Sequence, residues 1–314
     1  MSTHRHSKED KTVIFLVLNK TAWTKMTAKE QDTIPPAQIP VALTIAGSDS
    51  GGGAGIQADL RTFAFHCVHG TSAITCVTAQ NTLGVNRVDA MAVEAVLAQI
   101  HAVYTDIGVQ GVKTGMLLNQ EIITAVAHQL ADLQIENLVV DPVMVSRTGA
   151  QLIDDAAIAS LQNLLLPLAK IITPNRYEAQ ILSGREIQTL DDMRQAAEII
   201  HQKFGVKTVL VKGGGMAEKW RGVDVWFDGQ SLEILTMEPV ETKNTHGTGC
   251  TLSAAIAANL AKGADLFTAV KQGKHYVHQA LQHSLNIGAG QGPVGHFYPL
   301  LLENLGKLPS PANQ

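Results

Sequence analysis

The sequence predicts an α/β fold: a mostly parallel central sheet with helices on both faces. Three observations lead there. From residue 41 onward, short apolar runs alternate with helically spaced segments. Polar and glycine residues gather just after each apolar run. Aromatics are only 4% of a chain that is 45% hydrophobic, which suits closely packed helices on a sheet better than an aromatic-rich β-sandwich.

The elements follow in order. Val41 to Ala46 is a short apolar run closed by Gly47 and reads as a buried strand. Ile56 to Phe65 has helical spacing, and Gly70 to Val77 reads as a second strand. Val93 to Tyr104 is helical, Gly111 to Gly115 a short strand and turn, and Glu121 to Leu133 helical again. Leu138 to Asp141 is a strand ending in a carboxylate. Asp155 to Leu166 is helical, Lys170 to Thr173 a strand, Asp191 to Phe204 a helix, and Thr208 to Lys212 a strand running into three glycines. Asp228-Gly229 between the apolar stretches of 223–235 predicts a small β-hairpin at one sheet edge. Strands separated by helices require crossover connections, hence the parallel sheet.

The bulk properties exclude several classes. The formal charge of −4, without a long basic run, gives nucleic-acid binding no electrostatic support. No segment is long enough to cross a bilayer; the run Val13 to Leu18 is too short for a signal core and is flanked by charge. Cys67, Cys76 and Cys250 are too few and scattered for a disulfide framework, which fits a reducing, cytoplasmic setting. Residues 1–38 are polar, charged and proline-closed, and read as a disordered tail.

The chemistry gathers at the carboxyl ends of the predicted strands, where open α/β sheets bind ligands. Asn244-Thr245-His246-Gly247-Thr248-Gly249-Cys250 runs straight into an alanine-rich helix. Unpaired N–H groups and the helix dipole make such a turn an oxyanion site. Cys250 stands at its mouth, where a thiol tends toward acidity and becomes a candidate base. A lone cysteine is also common core filler. Gly51 to Ala58 contains a Gly-x-Gly-x-x-Ala match, but the next strand ends in Ala79-Gln80-Asn81 without the acidic residue of a dinucleotide fold. No P-loop pattern occurs. Asp59 is either a polar anchor for a small substrate or an ordinary carboxylate near a helix N-terminus. Gln80 offers a carbonyl beside an NH₂, matching an aminopyrimidine edge. Asp141, Asn175 and Glu178 are candidates to organise Mg²⁺, and Lys212 to neutralise phosphate oxygens. His66 and His69 bracket Cys67 without a further ligand at zinc spacing.

These residues together resemble the bacterial hydroxymethylpyrimidine/phosphomethylpyrimidine kinases of the ribokinase-like superfamily. The resemblance runs from about residue 41 to 298. It is carried by 42–50, 52–60, 79–82 and 243–250, and more weakly by Asp141 to Met144, Thr173 to Asn175 with Glu178, and Val211 to Gly214. It implies a three-layer ribokinase-like domain over residues 39–310, a homodimer, and ATP with Mg²⁺. It also implies two successive phosphorylations of an aminopyrimidine, in thiamine diphosphate biosynthesis. It places Gly47, Asp59, Gln80 and Met116 at the pyrimidine. Asn175, Lys212, Gly214, Lys243, Thr245, Gly247, Thr248 and Gly249 fall at ATP, Asp141 and Glu178 at the metal, and Cys250, Gly249 and Lys212 at the chemistry. Gly51 stands where the family more often has serine, and Arg61 where it usually has lysine. A pyridoxal kinase on the same fold, or a non-catalytic pyrimidine-binding protein, remain alternative readings.

Overall fold

The strand β1 (Val41–Asp49) lies in the middle of the sheet, with β2 (His69–Gln80) on one side and β4 (Gly111–Thr114) on the other, all parallel. The order of strands therefore reverses direction at β1, which opens a crevice at its carboxyl end. The structure is a computed structural model and describes residues 39–145 and 151–303. The expected tail, 1–38, and the end of the expected 39–310 domain, 304–310, lie outside the described residues.

Beyond β4 the sheet continues through β5 (Leu138–Val140), β6 (Ile171–Ile172) and β7 (Val209–Lys212), all parallel. The predicted hairpin forms as β8 (Val223–Phe227) and β9 (Leu232–Thr236), antiparallel at that edge. Asp228 closes it by accepting the N–H groups of Gln230 and Ser231. One further strand, not read from the sequence, joins the sheet. At the other edge β3 (Val85–Ala90) pairs antiparallel with β2. Every residue of β3 is exposed, so no buried face imposes the alternation by which a strand is read from sequence.

Side-chain alternation along the strands builds the layers. Leu138, Val140, Ile172, Val209 and Val211 point into one core, while Val139, Ile171 and Leu210 point into the other. The first core is covered by α2 (Val93–Ala102), α3 (Gln120–Asp132), α4 (Asp155–Ser160), α5 (Arg176–Ser183) and α6 (Leu190–Phe204). The second is covered by α1 (Gly55–Phe65), α7 (Thr248–Ala261) and α8 (Leu266–Gln282). A short α9 (Tyr298–Glu303) follows. This is the three-layer α/β arrangement.

Local chemistry sets several helix ends. Asn119, Asp154, Thr189 and Asp265 each cap a helix through a backbone N–H, and Gly184 and Gly205 close α5 and α6 in the left-handed conformation. The predicted helix 155–166 is shorter than expected. It widens to a π-turn over 161–165 and tightens to a 3-10 turn over 166–168, where Pro167 has no N–H to continue the ladder. α7 is buried from Thr251 to Ala261. Its alanines allow very close packing: a Cβ on Gly111 would lie 2.6 Å from the Ala257 carbonyl.

Phe63, fully buried in the core under α7, provides a test of this packing. Phe63→Ala is expected to lower unfolding free energy by about 3–5 kcal/mol, measured as a shift of the urea midpoint at unchanged slope.

Candidate active site

The loop after β1 is organised by one carboxylate. Asp49 Oδ1 accepts from Gly51 N–H (2.8 Å), and Oδ2 accepts from Gly53 N–H (3.0 Å) and Ala54 N–H (2.8 Å). Burial works to raise this carboxyl, but hydrogen bonds from His246 and Ala54 hold it below its ordinary range. Gln80, at the end of β2, is half-buried, and its backbone N–H donates to Ser50 Oγ at 2.8 Å. Gly47 faces Cys76 and Met116: a Cβ there would fall 2.6 Å from Cys76 Sγ and 3.0 Å from Met116 Cε. Gly47, Met116 and Gln80 therefore gather around the carboxyl end of β1.

Asp59 does not. It is fully buried one layer beneath, where its Oδ2 takes Lys113 Nζ at 2.7 Å and Thr44 Oγ1 at 2.6 Å. The inner face of α1 lies on the sheet, so a carboxylate there meets the strands and not the crevice. The expected substrate anchor is instead half of a buried ion pair. Burial disfavours the Lys113 ammonium, yet Asp59, Cys250 and Asp141 together hold it above its usual range.

The phosphate end is built around α7. Gly247 adopts φ 82° at its N-cap and contributes no side-chain cap; the Thr248 N–H donates to the Thr245 carbonyl at 3.3 Å, and the N–H groups of Gly249 and Cys250 stand where a helix end meets an anion. A Cβ on Gly249 would lie 3.2 Å from Lys212 Nζ and 3.7 Å from Asp141 Oδ2. Lys212 Nζ donates to Asp141 Oδ1 at 3.0 Å, and Ser253 Oγ to Asp141 Oδ2 at 3.3 Å. Burial works against the Lys212 charge, but Asp141 and Glu178 hold it above its usual range. Thr248 Oγ1 donates to the Thr245 carbonyl at 2.6 Å, while Thr245 Oγ1 is buried without a partner.

Asn175 and Glu178 form a reciprocal capping box at the start of α5. Glu178 is buried, and desolvation together with the charge of Asp141 pushes its carboxyl up to about 8, although Lys212 opposes this. The turn after Lys212 is pinned: Gly213 N–H donates to Asp224 Oδ1 at 2.9 Å, and Asp224 Oδ2 takes Lys274 Nζ at 2.5 Å. Gly214 faces open space, and Lys243 is exposed at the beginning of its loop. The structure thus brings Gly249, Lys212 and Asp141 together, with Glu178 within electrostatic reach, and gives Lys243 no contact with them.

Cys250 departs from expectation in its acidity. Desolvation pushes the thiol up to about 11; Lys113 pulls it down, Asp59 and Asp141 push it further up, and a hydrogen bond from the Gly55 backbone favours the thiolate. Burial and two carboxylates outweigh the helix end. Three residues that sequence reasoning passed over complete the site: Lys113, Asp224 and His246. Lys113 carries a usable signal, a lysine inside a strand too apolar to be solvated. His246 Nε2 lies 2.8 Å from Asp49 Oδ2, a pairing 197 residues apart that no local pattern reveals.

Comparison with known proteins bears on the sequence and the fold as a whole. The family model for phosphomethylpyrimidine kinase matches residues 49–295. A hydroxymethylpyrimidine/phosphomethylpyrimidine kinase of Synechococcus elongatus is 63% identical over 262 residues, covering 83% of this chain and 99% of that protein. The protein of the same name from Bacillus subtilis is 47% identical over 256 residues, covering 82% and 94%. Among solved structures, an ADP complex of Bacillus subtilis pyridoxal kinase superposes with a TM-score of 0.78 at 40% identity, covering 84% of this chain and 100% of that one. A phosphomethylpyrimidine kinase from Clostridium difficile gives 0.70 at 41% identity, covering 77% and 99%. Matched through most of its length by sequence and by fold, the chain belongs to the phosphomethylpyrimidine kinase family.

Proposed function

We propose that this protein transfers the γ-phosphoryl group of ATP to 4-amino-5-hydroxymethyl-2-methylpyrimidine, and a second one to the resulting monophosphate, in thiamine diphosphate biosynthesis. One observation carries the reading: the substrate loop and the oxyanion turn are in contact. The Gly247 backbone packs on Gly53, where an added Cβ would lie 1.8 Å from the Gly53 carbonyl oxygen. A pyrimidine at Gln80, Gly47 and Met116 then sits beside the N-terminus of α7.

The transfer is in line. The bond from the γ-phosphorus to the β-γ bridging oxygen breaks, a bond to the hydroxymethyl oxygen forms, and ADP leaves. Lys212 and the N–H groups of Gly247 to Cys250 hold the developing charge, which supplies most of the catalysis in such reactions. Cys250 takes the hydroxyl proton as thiolate, beside the Lys113 ammonium. Lys113 in turn is held by Asp59. In the second step the acceptor is an ionised phosphate oxygen and no proton must be removed. Asn175, Gly214, Lys243, Thr245, Thr248 and Gly249 line the ATP end of this reading.

Asp141 and Glu178 fit a hydrated Mg²⁺. They are buried carboxylates close enough that burial and the Asp141 charge together keep Glu178 protonated, and a divalent cation between them would let both ionise. Asp141 Oδ1 is already shared with Lys212, which favours contact through the metal's water shell. Bound there, Mg²⁺ neutralises triphosphate charge. A cytoplasmic homodimer completes the reading. Among the described residues no helix is long and apolar enough to cross a membrane. Val77, Leu83, Val85 and Val88 are exposed at the β3 edge, an apolar face that a second copy would cover.

Four outcomes test this. Purified protein with ATP, Mg²⁺ and the hydroxymethylpyrimidine should yield mono- and diphosphate by chromatography; product from pyridoxine alone would move it to pyridoxal kinase, and binding without turnover to a non-catalytic role. Lys212→Met should lower kcat by roughly 10²-fold or more with the fold retained by circular dichroism. The high thiol pKa gives the first step a rate that climbs with pH from neutrality toward about 11, because thiolate grows as protons leave. Cys250→Ala should lose roughly 10²- to 10⁴-fold in rate and flatten that climb in a pH-rate profile.

A further inference from the structure

His246 stands where three segments meet. Its Nε2 lies 2.8 Å from Asp49 Oδ2 and 3.3 Å from the Gln80 amide nitrogen. Its ring lies across the Gly53 backbone, so that a Cβ on Gly53 would come within 2.3 Å of His246 Cδ2. Its own backbone is fixed on both sides: His246 N–H donates to the Gly292 carbonyl at 3.1 Å, and Val294 N–H donates to the His246 carbonyl at 3.2 Å. Asp49 keeps 4% of its side-chain surface and His246 25%. The carboxylate is thus shut off from water, while part of the imidazole remains open to solvent.

Proton placement follows from this geometry. A buried carboxylate that already accepts three backbone N–H groups is ionised, and its depressed carboxyl agrees. At 2.8 Å from that oxygen, Nε2 must carry the hydrogen and donate it. Nε2 then has no lone pair for an amide N–H. The Gln80 amide joins the same hydrogen only through Oε1, a half-turn from the arrangement in the structure. Oε1 has a second lone pair, which stays free for an amine. The amide NH₂ then lies beside Thr78 Oγ1, which in the structure is 3.4 Å from Oε1, and its second N–H is available to a ligand ring nitrogen.

We propose that His246 is a positioning residue that ties the Gly51–Ala54 turn to the Gln80 amide through Asp49. In doing so it sets the preference for a ligand edge that pairs a ring nitrogen with an exocyclic amine. The identity of that ligand rests on the kinase reading above.

The test compares wild type, His246→Leu and His246→Gln, with the hydroxymethylpyrimidine, pyridoxine and ATP each varied. A hydrogen bond to a charged group is involved, so His246→Leu should raise KM for the pyrimidine by about tenfold or more. KM for ATP should stay within about threefold, and the preference over pyridoxine should shrink. Glutamine reaches to the same point with an N–H, so His246→Gln should recover most of the KM. His246→Asn, too short to reach Asp49, serves if the leucine variant fails to fold. The assignment is overturned if KM for ATP rises in step, if the glutamine variant is as impaired as the leucine one, or if the preference does not move. Wild-type protein that accepts pyridoxine alone overturns the kinase reading and the preference together; a normal wild-type preference with an unmoved variant overturns only the role of His246.

Discussion

The site depends on a contact that leaves no room for a side chain. Gly247 approaches Gly53 so closely that a Cβ would strike its carbonyl at 1.8 Å, and a Cβ on Gly55 would lie 2.3 Å from the Gly47 carbonyl oxygen. Both glycines also hold positive φ, 82° and 56°, where a β-carbon adds strain. This contact brings the loop after the first strand against the turn before α7, although nearly two hundred residues separate them. Gly47, Gln80, Lys212, Asp141 and the turn into α7 are thereby gathered at the carboxyl end of the sheet. The reversal of strand order at β1 supplies the crevice itself.

Around that contact the protein buries charge on a scale that folding alone would not favour. Lys113 and Asp59 are wholly enclosed, and Asp141, Glu178 and Lys212 gather a short way off. Buried ions are costly unless paired and fully hydrogen-bonded. Here the pairing is incomplete: Asp59 Oδ1 has no partner, and Glu178 is pushed up to about 8. The same arrangement raises Cys250 to about 11 while setting the Lys113 ammonium against it. Such a site is organised before any ligand arrives, and its electrostatic terms act at low dielectric where they are strongest.

Much of the fold was legible. Six of the sheet strands announced themselves as apolar runs with turn residues behind them, and the Asp228-Gly229 hairpin was marked by its turn. β3 was not, since a strand exposed on both faces carries no burial pattern. The helix read over 155–166 is α-helical only to residue 160 because its change of pitch comes from packing and from Pro167, which a periodicity count does not see. The site was legible where chemistry is local. The glycine turn, Lys212 and Asp141 could be placed from their neighbours in the chain, and the structure brings them together. Asp59 could not, because its partner Lys113 comes from β4, far along the chain.

By itself the sequence determined the parallel α/β class, the strand ends as the place of chemistry, and the oxyanion turn leading into α7. Each of these rests on short-range physics: apolar periodicity, glycine conformations and helix-end N–H groups. The tertiary structure alone decided the ionisation of the site and its long-range pairs. Those include Asp59 with Lys113, Asp224 with Lys274, and His246 with Asp49. A carboxylate or thiol acquires its acidity from burial and from charges that only folding brings near. Cys250 is therefore an acidic helix-end thiol when read along the chain, and a desolvated one when the sheet has closed around it.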